Sequence, residues 1–240
     1  MKKLYEKNEL LFALLWIALY VLLSGQTDVW SRSLGMEKSV TACVHLLMSA
    51  VLFIWVRRNG LSEKYGLCRA HVPAGRFLWY LPLAVIASAS LWGGIQLQSS
   101  PAEALCYVVS MLCVGFLEEL IFRGLLFRAM AKDGLKSAIV VSSLTFGLGH
   151  IVNLFNGSGR NLPDTILQIV FAIMIGFILV LILCKSGSLI PCIVFHSLNN
   201  ALSIFGAEIA DGAALAIGGG TEQNYLAVEN CYLWTAGFKR

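Results

Sequence analysis

Three small groups of polar residues interrupt otherwise apolar stretches of this 240-residue chain, and their types are those of hydrolytic chemistry. Glu118 and Glu119, with Arg123 four residues beyond the second, sit inside the run from Val108 to Phe127. Phe146 and His150 form the second group, His196 and Asn200 the third. A charged side chain at membrane depth costs about 3 kcal/mol or more, so such residues are rare there and usually have a function. A buried carboxylate can serve as general base toward water, and imidazole and amide donors can hold a developing oxyanion.

The two glutamates are not equivalent on a helix. Adjacent residues project about 100° apart, which predicts that they cannot serve the same point. Glu119 lies four residues before Arg123, the favourable order for an ion pair, and is expected to neutralise that arginine as a structural pair. Glu118 is then expected to face a cavity as the reactive carboxylate. The alternative is an ion-pair network in which both glutamates share Arg123. Phe146 falls on the same helix face as His150 and is expected to wall the pocket, with Asn153 as a supporting partner. His196 and Asn200 share a face of their own helix, and both can donate to an oxyanion. Taken singly, either histidine has an ordinary reading as an interhelical hydrogen bond.

These residues need elements that hold them at one depth. The chain is 58% apolar and 13% charged with a mean hydropathy of +0.74, well outside the balance of soluble domains. Its apolar runs are continuous and about 20 residues long, which predicts membrane-spanning helices and not the alternating strands of a barrel. The expected fold is all-α: one membrane-embedded domain over residues 1–240, with seven spans near 9–25, 39–56, 77–96, 104–127, 137–155, 163–184 and 187–206. The first run follows three lysines but is long for a signal peptide and has no small-residue cleavage site, so it is expected to be retained. Segments 207–220 and 225–238 offer an eighth span as an alternative.

With the N-terminus in the cytoplasm, 13 lysines and arginines fall on the inner side and 5 on the outer, a bias that favours this orientation. The basic 57–76 loop is expected to lie against anionic lipid headgroups. A nucleic-acid partner is not expected. Seven cysteines, odd in number and without a C-x-x-C pair, point to no disulfide framework or thiolate metal site. Counted from the helix ends at 1.5 Å per residue, Glu118 and His196 each lie about 13 Å from the inner side and His150 about 20 Å. These depths predict one shared cavity opening toward the cytoplasm.

The order Glu118-Glu119-x-x-x-Arg123, Phe146-x-x-x-His150, His196-x-x-x-Asn200, with its spacing and its apolar setting, resembles the three motifs of the CPBP intramembrane proteases. This is the CAAX protease and bacteriocin-processing family, also termed Abi. The resemblance covers about residues 104–206, the expected catalytic core. It implies an intramembrane endopeptidase in which Glu118 and His150 activate water while His196 and Asn200 stabilise the oxyanion. The implied substrates are a membrane-associated peptide, a bacteriocin or signalling peptide, or a lipid-modified protein, in a prokaryotic cell membrane. Members are described both as metalloproteases and as glutamate-dependent proteases. Glu118, His150 and His196 would supply three ligands to a divalent metal such as zinc. Metal-free water activation is preferred, since no H-E-x-x-H is present. A non-catalytic immunity or scaffold protein is the alternative function, and a proton-relay transporter a third reading. The residues leave oligomeric state open.

Overall fold

The computed structural model describes residues 1–73, 81–97, 99–155 and 162–206. Within them the chain is helical, with a lone antiparallel bridge between Ile95 and Gly206. The two tail segments considered for an eighth span, and the start of the expected third span, lie outside these residues.

A short helix α1 (Lys2–Lys7) leads into α2 (Glu9–Ser33), whose start is fixed by Asn8 accepting from the Leu11 amide at 2.8 Å. Then come α3 (Ser39–Arg58), α4 (Leu81–Ser88) with a 3₁₀ turn at Ala89–Leu91, and α5 (Pro101–Glu118). Ser100 and Glu103 form a reciprocal capping box at the start of α5, with Pro101 in its first turn. The same helix continues through a π-helical stretch, Glu119–Leu126, into α6 (Phe127–Met130). α7 (Leu135–Leu148) ends in a 3₁₀ segment, Gly149–Leu154. α8 (Leu162–Ser186) and α9 (Ile190–Leu202), extended by Ser203–Phe205, complete the described bundle.

Among the described residues, five helices are long and apolar enough to cross a membrane: Glu9–Ser33, Ser39–Arg58, Pro101–Met130, Leu135–Leu154 and Leu162–Ser186. Within the described residues, the spans expected at 77–96 and 187–206 appear as shorter apolar helices, Leu81–Leu91 and Ile190–Phe205. The second covers only about 24 Å at 1.5 Å per residue, short of a hydrocarbon core of about 30 Å. Its start is delayed because Gly187 takes a left-handed φ of +70° that ends α8, and Pro191 marks the first turn of α9.

Apolar side chains such as Leu11, Leu15 and Leu22 of α2 face outward, as a lipid-facing surface requires. Inside, close helix contact depends on small residues, because lipid supplies no hydrophobic drive between helices. A Cβ on Gly115 of α5 would collide with the backbone and hydroxyl of Ser197 on α9, so only glycine lets these helices meet there. Ser197 then donates to the Leu112 carbonyl at 3.0 Å.

One end of the bundle is tied together by polar contacts. Glu9 pairs with Lys64 at 2.7 Å and with Lys132 at 2.8 Å, joining the N-terminal helix to the loop after α3 and the turn after α6. Burial alone would depress Lys64, but hydrogen bonds to Glu9 and Tyr5 outweigh it and hold the ammonium above its ordinary pKa. The α8–α9 junction joins this end through the His71 amide on the Ser186 carbonyl at 2.9 Å and the Leu189 amide on the Gly66 carbonyl at 2.7 Å. At the other end, Lys38 bridges back to Asp28 at 2.8 Å, and the Gln96 amide meets the Phe205 carbonyl at 2.9 Å.

Candidate active site

Glu118 ends the regular α5 turn and Glu119 begins the π-helical stretch, and both are buried. π turns insert one residue into a helix and are frequent at functional sites. His196 of α9 is wedged between the two carboxylates. Its Nδ1 lies 2.8 Å from Glu119 Oε1 and its Nε2 lies 3.5 Å from Glu118 Oε2. The expectation that the glutamates cannot serve one point does not survive this geometry. One imidazole has nitrogens on two sides, so carboxylates diverging around a helix can still clamp a single ring.

Glu119 Oε1 also accepts from Arg123 Nη1 at 3.1 Å, with both side chains fully enclosed. The Nε and Nη2 of Arg123 make no hydrogen bond. Its guanidinium instead lies 3.9 Å above the Phe146 ring centroid, a stacking geometry that favours arginine over lysine. Phe146 in turn meets His150 and His196 edge-on, with centroids at 5.5 and 5.8 Å. It is a wall common to both histidines.

Glu118, Phe146, His150, His196 and Asn200 line one cavity of about 220 Å³. Asn153 lines it as well, and reaches His150 through an intermediary. Its amide nitrogen donates to Gln168 Oε1 at 2.9 Å, and Gln168 Nε2 lies 3.3 Å from His150 Nδ1. Because the Gln168 oxygen is taken by Asn153, its NH₂ faces the imidazole. Nδ1 is therefore an acceptor and Nε2 carries the hydrogen.

Several lining residues escaped the sequence reading, and three of them touch or flank the central groups. The Tyr20 hydroxyl of α2 donates to Glu118 Oε1 at 2.6 Å. His45 of α3 is held between Ser24 at 2.9 Å and Ser110 at 3.0 Å. Gln168 of α8 is the third. A signal for the first was present: Tyr20, Ser24, Asp28 and Arg32 recur every four residues along an apolar helix, and all four line the cavity.

The cavity does not run in the expected direction. Beyond Glu118 its lining continues through Ser24, Asp28, Arg32 and Lys38, toward the end of the bundle opposite the N-terminus. Depths counted along single helices placed Glu118, His150 and His196 on one cavity but carried no information about which end was open.

A divalent ion at Glu118, His150 and His196 would require a lone pair from each imidazole aimed at one point. His196 has a carboxylate at each ring nitrogen, and Gln168 donates to His150 Nδ1, leaving Nε2 as an N–H. Among the described residues, no three His, Cys, Asp or Glu side chains stand close enough together to hold a metal ion. This arrangement does not fit a three-ligand metal centre.

With the site assembled, the family comparison becomes interpretable. The family described as Rce1-like, type II CAAX prenyl endopeptidase, matches residues 100–202. Residues 100–202 are thus similar to that protease family. The Rce1-like segment begins at Ser100, the cap of α5, and ends at Leu202, the last residue of α9. It therefore contains all three motifs. Among the described residues five helices are long and apolar enough to span a bilayer, which together with this similarity marks the chain as an integral membrane protein. Comparison with curated proteins and with solved structures gives no match.

Proposed function

We propose that this chain is an intramembrane endopeptidase that hydrolyses a peptide bond in a membrane-associated peptide or lipid-modified protein. The observation that carries the reading is the meeting of Glu118, His150, His196 and Asn200 on one cavity within the Rce1-like segment.

Glu118 is the general base. It accepts a proton from water while the His150 Nε2–H holds the water oxygen, and that oxygen bonds to the scissile carbonyl carbon. The carbonyl electrons move onto oxygen, where the His196 imidazole and the Asn200 amide stabilise the charge. Glu118 then returns its proton to the amide nitrogen as the C–N bond breaks, leaving a carboxylic acid and an amine. Glu119 acts through His196, fixing the ring by its Nδ1 contact, and Arg123 neutralises Glu119. Gln168 and Asn153 position His150 in the same indirect sense.

The test compares membranes carrying the full chain with membranes carrying Glu118→Gln, followed by mass-spectrometric identification of released peptides and by cleavage of those peptides with purified protein. Glu118→Gln is expected to abolish cleavage while inserting and folding normally. Undiminished cleavage by that variant would show that the base lies elsewhere.

A further inference from the structure

Every fourth residue of α2 from Phe12 to Arg32 forms a single ridge, and its character changes at the reactive carboxylate. Phe12 and Trp16 are buried and apolar, Tyr20 touches Glu118, and Ser24, Asp28 and Arg32 are polar and line the cavity. The apolar half packs into a closed plug. Phe12 lies 4.7 Å from Trp55 between ring centroids, and Leu52, Leu117 and Leu120 beside it have no exposed surface. The polar half runs 12 residues from Tyr20 to the exposed Arg32, about 18 Å at 1.5 Å per residue. Glu118 is thus sealed from one end of the bundle and connected to the other.

The sealed end can be assigned a side of the membrane. It gathers Lys2, Lys3 and Lys7, the arginines and lysine of the 57–69 loop, the 128–136 turn and Lys185, held together by the Glu9 pairs and the 66–71 contacts to α8 and α9. The open end carries Arg32 and Lys38 among the described residues, and Lys38 is neutralised by Asp28. Arg123, counted among the inner charges from sequence, is buried beside Glu119 and contributes to neither surface. Removing it leaves the asymmetry intact, and lysine and arginine mark the cytoplasmic end of polytopic proteins.

We infer that the Glu118 cavity opens to the extracytoplasmic face of the membrane, so that its substrate is an exported peptide segment presented from outside and not a protein tail delivered from the cytoplasm. That the ligand is a peptide rests on the protease reading; the side of access does not.

Thiol labelling reads access without reference to turnover. Gly25 lines the cavity about 10 Å inside Arg32 along the helix, and a Cβ added there meets open space, so Gly25→Cys is a tolerated probe. Full-length Gly25→Cys, Arg32→Cys and Lys3→Cys are treated with a charged, membrane-impermeant thiol reagent in sealed right-side-out and inside-out vesicles, each measured as label gained over the unsubstituted chain. Gly25→Cys and Arg32→Cys are expected to gain label in right-side-out vesicles, and Lys3→Cys in inside-out vesicles alone. Labelling of Gly25→Cys from the inside-out face alone, or from neither face, would overturn the inference. So would labelling of Lys3→Cys from outside. Loss of the protease reading would show separately, as undiminished cleavage by Glu118→Gln.

Discussion

The Tyr20 hydroxyl donates to Glu118 Oε1 at 2.6 Å, joining the first long helix to the motif helix across 98 positions of sequence. The donor orients one oxygen of the carboxylate and leaves Oε2 toward His196 and the cavity. A residue outside the Rce1-like segment therefore takes part in the arrangement of its proposed base.

Tyr20→Phe tests this contact directly. A hydrogen bond to a charged group contributes about 1.5–3 kcal/mol, which converts to a loss of about 10- to 100-fold in kcat/KM. The phenyl ring keeps the packing beside the His45 ring, so thermal stability should change little. Full activity in Tyr20→Phe would show that Glu118 is oriented by His196 alone.

Gln168 offers a test of the His150 tautomer. Gln168→Glu presents an acceptor to Nδ1, transfers the ring hydrogen there and strips Nε2 of its N–H. Loss of a positioned proton donor lowers turnover by about 100-fold or more. The expected signature is a fall in kcat with KM nearly unchanged and an altered pH profile. Gln168→Met, which neither donates nor accepts strongly, should fall between Gln168→Glu and the unsubstituted chain.

Arg123 is predicted to matter for the fold more than for any one chemical step. Arg123→Ala leaves Glu119 as an enclosed carboxylate without its cation, a change that costs about 3–5 kcal/mol. Arg123→Lys should restore only part of that loss, because an ammonium cannot reproduce the planar stack 3.9 Å above Phe146. Thermal unfolding in detergent measures both, and it should show Glu118→Gln close to the unsubstituted chain.

Exhaustive chelation is expected to leave cleavage unchanged, with metal content determined on the same sample. Both His196 nitrogens face carboxylates and Gln168 holds His150 Nδ1, so a metal ion would have to displace these polar contacts to bind. Loss of activity on chelation, restored by zinc, would require the histidines to rearrange.

The residues proposed to do the chemistry were legible because their cost is local. Carboxylates, an arginine and imidazoles are expensive in any apolar helix, so Glu118, Glu119, Arg123, His150 and His196 stand out whatever surrounds them. The helical class was equally legible, since backbone groups in lipid must be satisfied within their own segment. What the linear order could not contain was the relation between helices. Spacing on one helix predicted that Glu118 and Glu119 diverge, but a ring from α9 can bridge diverging groups. Tyr20 and Gln168 are unremarkable polar residues until α2 and α8 pack against the motif helices. Depth, too, is a property of one helix, whereas the open end of a cavity depends on which side chains of several helices fill the space around it. Composition alone determined that this chain lies in a membrane and carries a costly set of acids and bases. Tertiary packing decided which of them meet, and on which side the cavity is closed, because both depend on contacts between residues far apart in the chain.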